Sequence, residues 1–224
     1  MLKKTCLTFV FLTLLTTFYG FNADFSTSSE AGITLDEKKE ARYVISPYDH
    51  VIRNISEQEG NDWRLMSAIA YHESRFTADI VSRRGARGLM QIMPAVARQF
   101  DVASEEALLD PETNVLLANK VWNQIDSTLG LPAGISEKDR MSLILASYNG
   151  GIGHVNDARR LARVNGEDPN SWEVVLRYLE LKADPEYYQN EVVKCGKFTG
   201  YRQTRAFVKD VMNRYNKYCR IAQL

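Results

Sequence analysis

The chain contains 224 residues, and its 28 Lys plus Arg balance 28 Asp plus Glu, so the formal net charge at pH 7 is zero. Apolar residues make up 45% of the sequence and charged residues 25%, which excludes collagen-like, low-complexity and largely disordered proteins. A neutral chain also lacks the basic surface with which general nucleic-acid-binding proteins displace counterions, so no nucleic-acid partner is expected. The length suits one domain with a sizeable core and at most a short appendage.

The first residues have the character of an export signal. Lys3 and Lys4 precede a mostly apolar run over residues 6–19. This run is shorter than the roughly 20 apolar residues of a membrane span, but it suits the apolar region of a secretory signal. We expect residues 1–23 to be a signal peptide on an exported protein, with a retained N-terminal anchor as the alternative.

The cysteine count agrees with export. Cys6 would leave with the signal peptide, so Cys195 and Cys219 remain as an even pair. A disulfide between them would close a loop of about 25 residues and contribute roughly 3 kcal/mol by the chain-entropy model. We expect this disulfide, with two unpaired thiols as the alternative. The three histidines are scattered and do not form a zinc pattern with the cysteines, so no metal or other cofactor is expected.

Beyond the signal, residues 24–46 form a polar segment that is interpreted as a linker, and residues 47–224 form one domain with a helical pattern. Asp62, Asp110 and Ser136 are typical N-caps, and glycines follow several of the apolar periodic segments. Residues 80–92 are the exception, since β-branched residues surround two glycines there and indicate a loop or small hairpin. The predicted fold class is therefore mainly α with a small non-helical insertion. Its helices cover about residues 62–75, 94–100, 110–130, 136–148, 152–164, 171–181 and 204–218.

Glu73 is the first candidate for chemistry. On the helix that begins at Asp62, it continues an apolar stripe formed by Met66, Ile69 and Ala70. A carboxyl group drawn into apolar surroundings holds its proton more strongly, as a general acid near neutral pH requires. The alternative is a glutamate that reaches solvent at the end of its helix.

Three motifs give this glutamate a context: residues 73–76 (ESRF), residues 85–94 (GARGLMQIMP) and residues 147–151 (SYNGG). Together they resemble the catalytic domain of soluble lytic transglycosylases, which is similar to glycoside hydrolase family 23 and has a lysozyme-like fold. These enzymes cut the glycan strands of bacterial peptidoglycan. The resemblance extends over about residues 47–218, and the ten-residue segment is its most specific part.

The resemblance implies a peptidoglycan lytic transglycosylase with Glu73 as its single general acid/base. Glu73 would protonate the oxygen of the β-1,4 bond between MurNAc and GlcNAc, and would then accept the proton of the MurNAc 6-hydroxyl as that hydroxyl attacks its own anomeric carbon. Intramolecular attack has a high effective molarity, so one carboxyl group suffices where ordinary glycosidases use two. The product would carry a 1,6-anhydro-MurNAc end.

The resemblance also implies substrate contacts, each with a purely structural reading as its alternative. The residues concerned are Ser74, Ser82, Gln91, Met93, Tyr148, Asn149 and Gln203. The match weakens towards the C-terminus, where Gln203 replaces a family Glu and Phe207 replaces a family Tyr. Gln203 forms hydrogen bonds but carries no charge, so an electrostatic role of the family glutamate is not expected here.

Two other functions remain open at this point. A goose-type lysozyme shares the fold and a similar glycine-containing segment but uses water and releases a reducing end. A non-catalytic peptidoglycan-binding protein is favoured only by Gln203. For the preferred reading, the partners are peptidoglycan glycan strands and possible cell-envelope proteins, the protein is a monomer, and its location is the periplasm or cell envelope of a bacterium.

Overall fold

The computed structural model describes residues 44–221. The predicted signal peptide and most of the predicted linker lie outside the described residues. The described part is mainly helical, which confirms the predicted fold class. Short 3-10 turns at Arg98–Phe100 and Glu106–Leu109 accompany the helices. These helices are α1 (Asp49–Gln58), α2 (Trp63–Ser74), α3 (Pro94–Ala97), α4 (Pro111–Leu129), α5 (Glu137–Gly150), α6 (Ile152–Val164), α7 (Trp172–Leu181), α8 (Pro185–Tyr188) and α9 (Tyr201–Ile221).

The predicted capping residues begin their helices. Asp62 caps α2, where its carboxylate accepts a hydrogen bond from the Arg64 amide at 2.9 Å. Ser136 caps α5, where its hydroxyl accepts from the Asp139 amide at 3.0 Å. Asp110 caps α4 in the same way. Each cap satisfies an amide that the first helical turn leaves without a partner, so the sequence predicts these boundaries well.

Helix α2 packs between two other helices. It contacts α1 on one side and α9 on another, and α9 also contacts α5 and α7. Met66, Ile69 and Ala70 on α2 are completely buried. The apolar stripe that leads to Glu73 therefore faces the core as the periodicity predicts. Within residues 44–221, no helix combines the length and the apolar character that a membrane span requires.

Residues 80–92 form the irregular segment that the sequence predicts. Its pairing consists of single antiparallel bridges from Arg87 to Val81 and to Ile92. The Arg87 amide donates to the Ile92 carbonyl and the Ile92 amide donates to the Arg87 carbonyl, both at 3.0 Å. The segment is thus a small, tightly closed loop between α2 and α3.

A buried ion pair supports the C-terminal half. Lys182 and Asp157 have completely buried side chains, and Lys182 Nζ lies 2.7 Å from Asp157 Oδ2. Asp157 also accepts hydrogen bonds from the amides of Lys194 at 2.8 Å and Cys195 at 2.9 Å. The pair therefore connects α6, the end of α7 and the segment that leads to α9.

Two expectations need correction. Cys195 and Cys219 are both free cysteines, so the expected disulfide is not formed. Cys195 lies against α6, since a Cβ atom added at Gly153 would be 2.4 Å from its sulfur, whereas Cys219 lies in the last turns of α9. The two thiols are held by different neighbours. Helix α9 also begins at Tyr201, earlier than the predicted residue 204.

Candidate active site

Glu73 is the penultimate residue of α2, and the chain turns sharply beyond it. Arg75 and Phe76 both adopt left-handed backbone conformations, with φ angles of 54° and 61°. The Arg75 amide still donates to the Tyr71 carbonyl at 3.0 Å, which closes the helix. Glu73 is therefore held on the last turn of a rigid, core-facing helix rather than on a loop.

Burial changes the acidity of Glu73. Its side chain is half-buried at the end of the apolar stripe, and this loss of solvent raises the pKa of Glu73 to about 7. Desolvation is the whole cause, since no charged group among residues 44–221 contributes to the shift. A second carboxylate at close range would add repulsion and raise the pKa further. Glu73 is thus a carboxyl group that can give and take a proton near neutral pH.

Tyr148 lies next to Glu73, near the end of α5. Burial raises the pKa of Tyr148 well above its usual value, and the negative charge of Glu73 raises it further. The Tyr148 hydroxyl donates a hydrogen bond to the Met90 carbonyl at 3.0 Å. Tyr148 therefore stays protonated and links the end of α5 to the loop of residues 80–92.

Asn114 on α4 also holds this loop in place, and it was not among the residues predicted from the sequence. Its side chain is completely buried, and its Oδ1 accepts from the Met90 amide at 2.7 Å. Its Nδ2 donates to the carbonyls of Arg87 at 2.9 Å and Leu108 at 2.8 Å. The signal that was available is an Asn on the buried face of a predicted amphipathic helix, since such an amide must find partners.

Gly88 makes this arrangement possible. Its φ angle is 77°, and a Cβ atom added there would lie 2.3 Å from the Leu108 carbonyl oxygen and 2.5 Å from Asn114 Nδ2. Only glycine combines this backbone conformation with so close an approach. The glycine in the sequence motif therefore serves loop closure.

Ser82 and Gln91 form hydrogen bonds within the loop itself. Ser82 Oγ accepts from the Ala86 amide at 2.9 Å. Gln91 Nε2 donates to the carbonyls of Gly88 at 3.0 Å and Ile80 at 3.3 Å. Gln91 stabilises the loop as its structural alternative predicts, and Ser82 bonds within the loop rather than only facing solvent. The substrate contacts of both residues remain predictions.

Three apolar side chains are exposed on and just after the loop, near the exposed Arg83 and Arg84. The exposed fractions of Ile80, Val81 and Met93 are 38%, 46% and 38%. They account for three of the five large apolar residues that are exposed within residues 44–221. A rim of this kind suits contact with the apolar faces of sugar rings, which is consistent with the role predicted for Met93.

Thr204 connects Asn149 to helix α9. Thr204 is buried, and its hydroxyl donates to Asn149 Oδ1 at 3.0 Å. The bond orients the Asn149 amide and ties the end of α5 to the first turn of α9. Gln203, the neighbour of Thr204, is exposed.

Ser74 has a structural position. It is buried, and its hydroxyl donates to the Ala70 carbonyl at 3.1 Å. The same oxygen accepts from the Thr77 amide at 3.2 Å. These bonds favour a role in closing the helix end over the predicted contact with substrate.

The fold and the site together define a helical domain with a half-buried carboxyl group of near-neutral pKa at the end of α2. The transglycosylase SLT domain family matches residues 50–170, more than half of the chain. The chain belongs to this family.

Named relatives agree with this assignment. The chain is 37% identical over 141 residues to membrane-bound lytic murein transglycosylase F 1 of Alkalilimnicola ehrlichii, covering 63% of this chain and 28% of the relative. It is 32% identical over 176 residues to membrane-bound lytic murein transglycosylase F of Marinobacter nauticus, covering 79% of this chain and 34% of the relative. The chain thus spans between about a quarter and a third of these relatives.

A solved structure has a similar fold. The crystal structure of an inactive mutant of the lytic transglycosylase Slt from Pseudomonas aeruginosa matches with a TM-score of 0.55 at 22% identity, covering 79% of this chain and 24% of that one. At this identity the likeness concerns the fold alone. The lysozyme-like helical arrangement expected from the sequence is confirmed.

Proposed function

We propose that the protein is a peptidoglycan lytic transglycosylase that cleaves the β-1,4 bond between MurNAc and GlcNAc without water. The observation that carries this proposal is Glu73, a carboxyl group whose pKa is raised to about 7 by burial without a contribution from a second acid. Family membership and the names of the relatives support the same activity.

In the first step, the protonated Glu73 carboxyl donates its proton to the glycosidic oxygen as the bond from that oxygen to the MurNAc anomeric carbon breaks. The GlcNAc side leaves with a free 4-hydroxyl. A pKa near 7 keeps a large fraction of Glu73 protonated at neutral pH, so the acid is ready for this step.

In the second step, the Glu73 carboxylate removes the proton from the MurNAc 6-hydroxyl as its oxygen bonds to the anomeric carbon. This closes the 1,6-anhydro ring and returns Glu73 to its protonated form. Since the nucleophile belongs to the substrate, the step needs neither a bound water nor an enzyme nucleophile.

The neighbouring residues supply positioning. Tyr148 stays protonated beside Glu73, so its hydroxyl adds no competing negative charge. With Oδ1 of Asn149 engaged by Thr204, Nδ2 of Asn149 is the atom we assign to a substrate carbonyl such as that of an N-acetyl group. Gln91, Ser82 and Met93 would contact the sugars from the loop, and Gln203 from the start of α9.

We further propose that the protein acts outside the cytoplasm, in the periplasm or cell envelope of a bacterium. The basic and apolar N-terminal sequence supports export, and the relatives are named as membrane-bound murein enzymes. It would work as a monomer on peptidoglycan strands, and cell-envelope proteins would direct it.

Mass analysis of digested peptidoglycan tests the reaction. The mature protein should release products that are one water lighter than hydrolytic muropeptides and that resist borohydride reduction. Reducible ends would show a goose-type hydrolase instead, and a lack of product from folded protein would favour a binding protein.

The Glu73→Gln variant tests the catalytic residue in the same assay. It keeps the shape of the side chain and removes the titrating proton, so turnover should fall by at least about 100-fold. In the parent protein the rate should decline as the pH rises through about 7, because the acid form of Glu73 is lost. Equal turnover by the folded variant would remove Glu73 from the mechanism.

A further inference from the structure

A cavity lies on the face of α2 that points away from Glu73. It has a volume of about 290 Å³ and lies between the last turns of α2 and the middle of α9. Tyr71 and Arg75 line it from one face of α2, and Glu73 is two positions from each of them, on the opposite side. The cavity is therefore separate from the catalytic residue. Its lining residues are Tyr71, His72, Arg75, Asp210, Asn213, Arg214 and Lys217.

The lining is strongly cationic. Arg75, Arg214 and Lys217 carry three positive charges against the single carboxylate of Asp210. None of the ion pairs formed within residues 44–221 uses any of these three cations. Among the described residues these three cations thus form no direct ion pair, and together they attract an anion into the cavity.

Aromatic stacking orients two of the cations. The Arg214 guanidinium carbon lies 3.3 Å from the centre of the Tyr71 ring, and that of Arg75 lies 4.2 Å from the same centre. Two like charges packed on one ring repel each other, and a bound anion relieves that repulsion. Stacked, planar guanidinium groups also present their N–H groups in the fork geometry that suits an oxyanion.

His72 adds a buried polar atom. Its Nδ1 is inaccessible to solvent and has no hydrogen-bond partner. Burial lowers the pKa of His72, Asp210 opposes this effect, and the positive charges of Arg75 and Arg214 lower it further. The imidazole is therefore neutral at pH 7. The net charge of the cavity is then +2, from three cations and the Asp210 carboxylate.

The remaining polar groups indicate what kind of anion fits. Asp210 accepts hydrogen bonds, and Asn213 both donates and accepts. A phosphate group offers mainly acceptors, carries up to two negative charges near pH 7, and would be repelled by Asp210. A peptide end offers a carboxylate for the arginines and an amide N–H for Asp210, so it matches both signs of the lining.

We propose that this cavity binds a free carboxylate of the peptide stems of peptidoglycan, together with the adjacent peptide N–H. The inference rests on the proposed function for the identity of the substrate. The site would hold a stem on the far side of α2 while a glycan strand occupies the cleft at Glu73. It would thereby favour peptide-bearing over peptide-free strands.

Binding without turnover tests the site. Glu73→Gln protein is titrated calorimetrically with sugar-free peptide stems that an amidase has released from peptidoglycan, and with the same stems after amidation of their carboxyl groups. The free-acid stems should bind, and the amidated stems should bind at least tenfold more weakly. Equal binding of the two, or tighter binding of inorganic phosphate, would overturn the proposal.

Charge-removing variants locate the site. When Arg75→Gln and Arg214→Gln are both added to the Glu73→Gln protein, the dissociation constant for the stems should rise at least tenfold. When Lys217→Gln is added instead, the dissociation constant should rise about threefold. Lys120→Gln, which removes an exposed charge on α4, is the matched control and should leave binding unchanged. Thermal melts check folding. If the double variant is unstable, the Arg75→Gln substitution alone is used for the binding measurement, because Arg75 is exposed.

Kinetics separates this proposal from the catalytic one. In otherwise unchanged protein, Lys217→Gln on α9 should raise KM for peptide-bearing strands and leave kcat and the KM for peptide-free strands unchanged. Unchanged KM for both would contradict the site while leaving the Glu73 mechanism intact. Conversely, an active Glu73→Gln variant would contradict the mechanism without affecting the peptide-binding measurement.

Discussion

The raised pKa of Glu73 lowers the folding stability of the protein at neutral pH. Its pKa is about 7 in the folded protein, against 4.5 for an unperturbed carboxyl group, so the folded state binds the proton more tightly. Where the folded state holds more protons than the unfolded state, stability falls as the pH rises. The contribution of Glu73 is thus fully present below about pH 4.5 and is lost as the pH rises to about 7. The protein gives up stability at neutral pH to keep a usable acid.

Glu73→Gln should therefore be more stable than the parent protein at pH 8 and equal to it at pH 4. The expected gain at pH 8 is about 2 kcal/mol, below the value implied by the full pKa difference because Glu73 keeps some contact with solvent. Urea denaturation at pH 4, 6 and 8 measures it, with Glu180→Gln on exposed α7 surface as control. A gain that is the same at pH 4 and pH 8 would show that titration is not its source.

Tyr148 both holds the loop of residues 80–92 and lies beside the Glu73 carboxyl group. Tyr148→Phe leaves the Met90 carbonyl without its hydroxyl donor, so the free energy of unfolding should fall by about 1 kcal/mol. We expect kcat to fall at least tenfold, because the loop loses its link to α5 beside Glu73. Steady-state kinetics and denaturation test this, with Tyr187→Phe on α8 as control. Parent-like kcat would limit Tyr148 to packing.

At the scale of elements, the loop of residues 80–92 depends on one close contact. Gly88→Ala should lower the free energy of unfolding by more than about 2 kcal/mol, since the new methyl group meets the Leu108 carbonyl and Asn114.

Gly85→Ala provides the comparison for that loss. Gly85 has a similar φ angle of 85°, but no atom lies within 4 Å of an added Cβ. Only the backbone strain of about 1 kcal/mol is expected there. Denaturation of both variants separates crowding from strain, and equal losses would contradict the role given to the contact at Gly88.

Local signals explain which elements the sequence predicts correctly. Asp62, Asp110 and Ser136 act through hydrogen bonds to amides a few residues away, so their effect is visible in a short window of sequence. Asn114 acts through partners in a loop about 25 residues away and on the preceding 3-10 turn, and nothing in its own neighbourhood specifies them. The irregular loop was predicted as an element, but the residue that holds it was not.

At the scale of the whole molecule, the buried Lys182–Asp157 pair connects three segments. Lys182→Met leaves Asp157 buried without its lysine, and the expected cost is about 3 kcal/mol. Chemical denaturation measures the loss, and exposed Lys138→Met on α5 is the control. A change within about 0.5 kcal/mol would show that the remaining partners of Asp157 suffice.

The same pair shows why the cysteine prediction was wrong. An even pair of cysteines indicates a disulfide only if the fold brings the thiols together, and that depends on neighbours that spacing does not reveal. Here the carboxylate of Asp157 binds the Cys195 amide, which holds Cys195 beside α6. The burial and the raised pKa of Glu73 were predicted correctly because its apolar stripe lies close to it in sequence, whereas its catalytic role stays a prediction.

The Tyr215 hydroxyl donates to Asp62, the cap of α2, at 2.9 Å across 153 residues of sequence. The helix that carries Glu73 is thus completed by the last 21-residue helix of the described chain. Contacts between such distant positions form late, because a long segment must be ordered before they close. While α9 is still unfolded, the cap of α2 lacks its Tyr215 partner, so the C-terminal helix must dock before the helix that carries Glu73 has its full set of contacts.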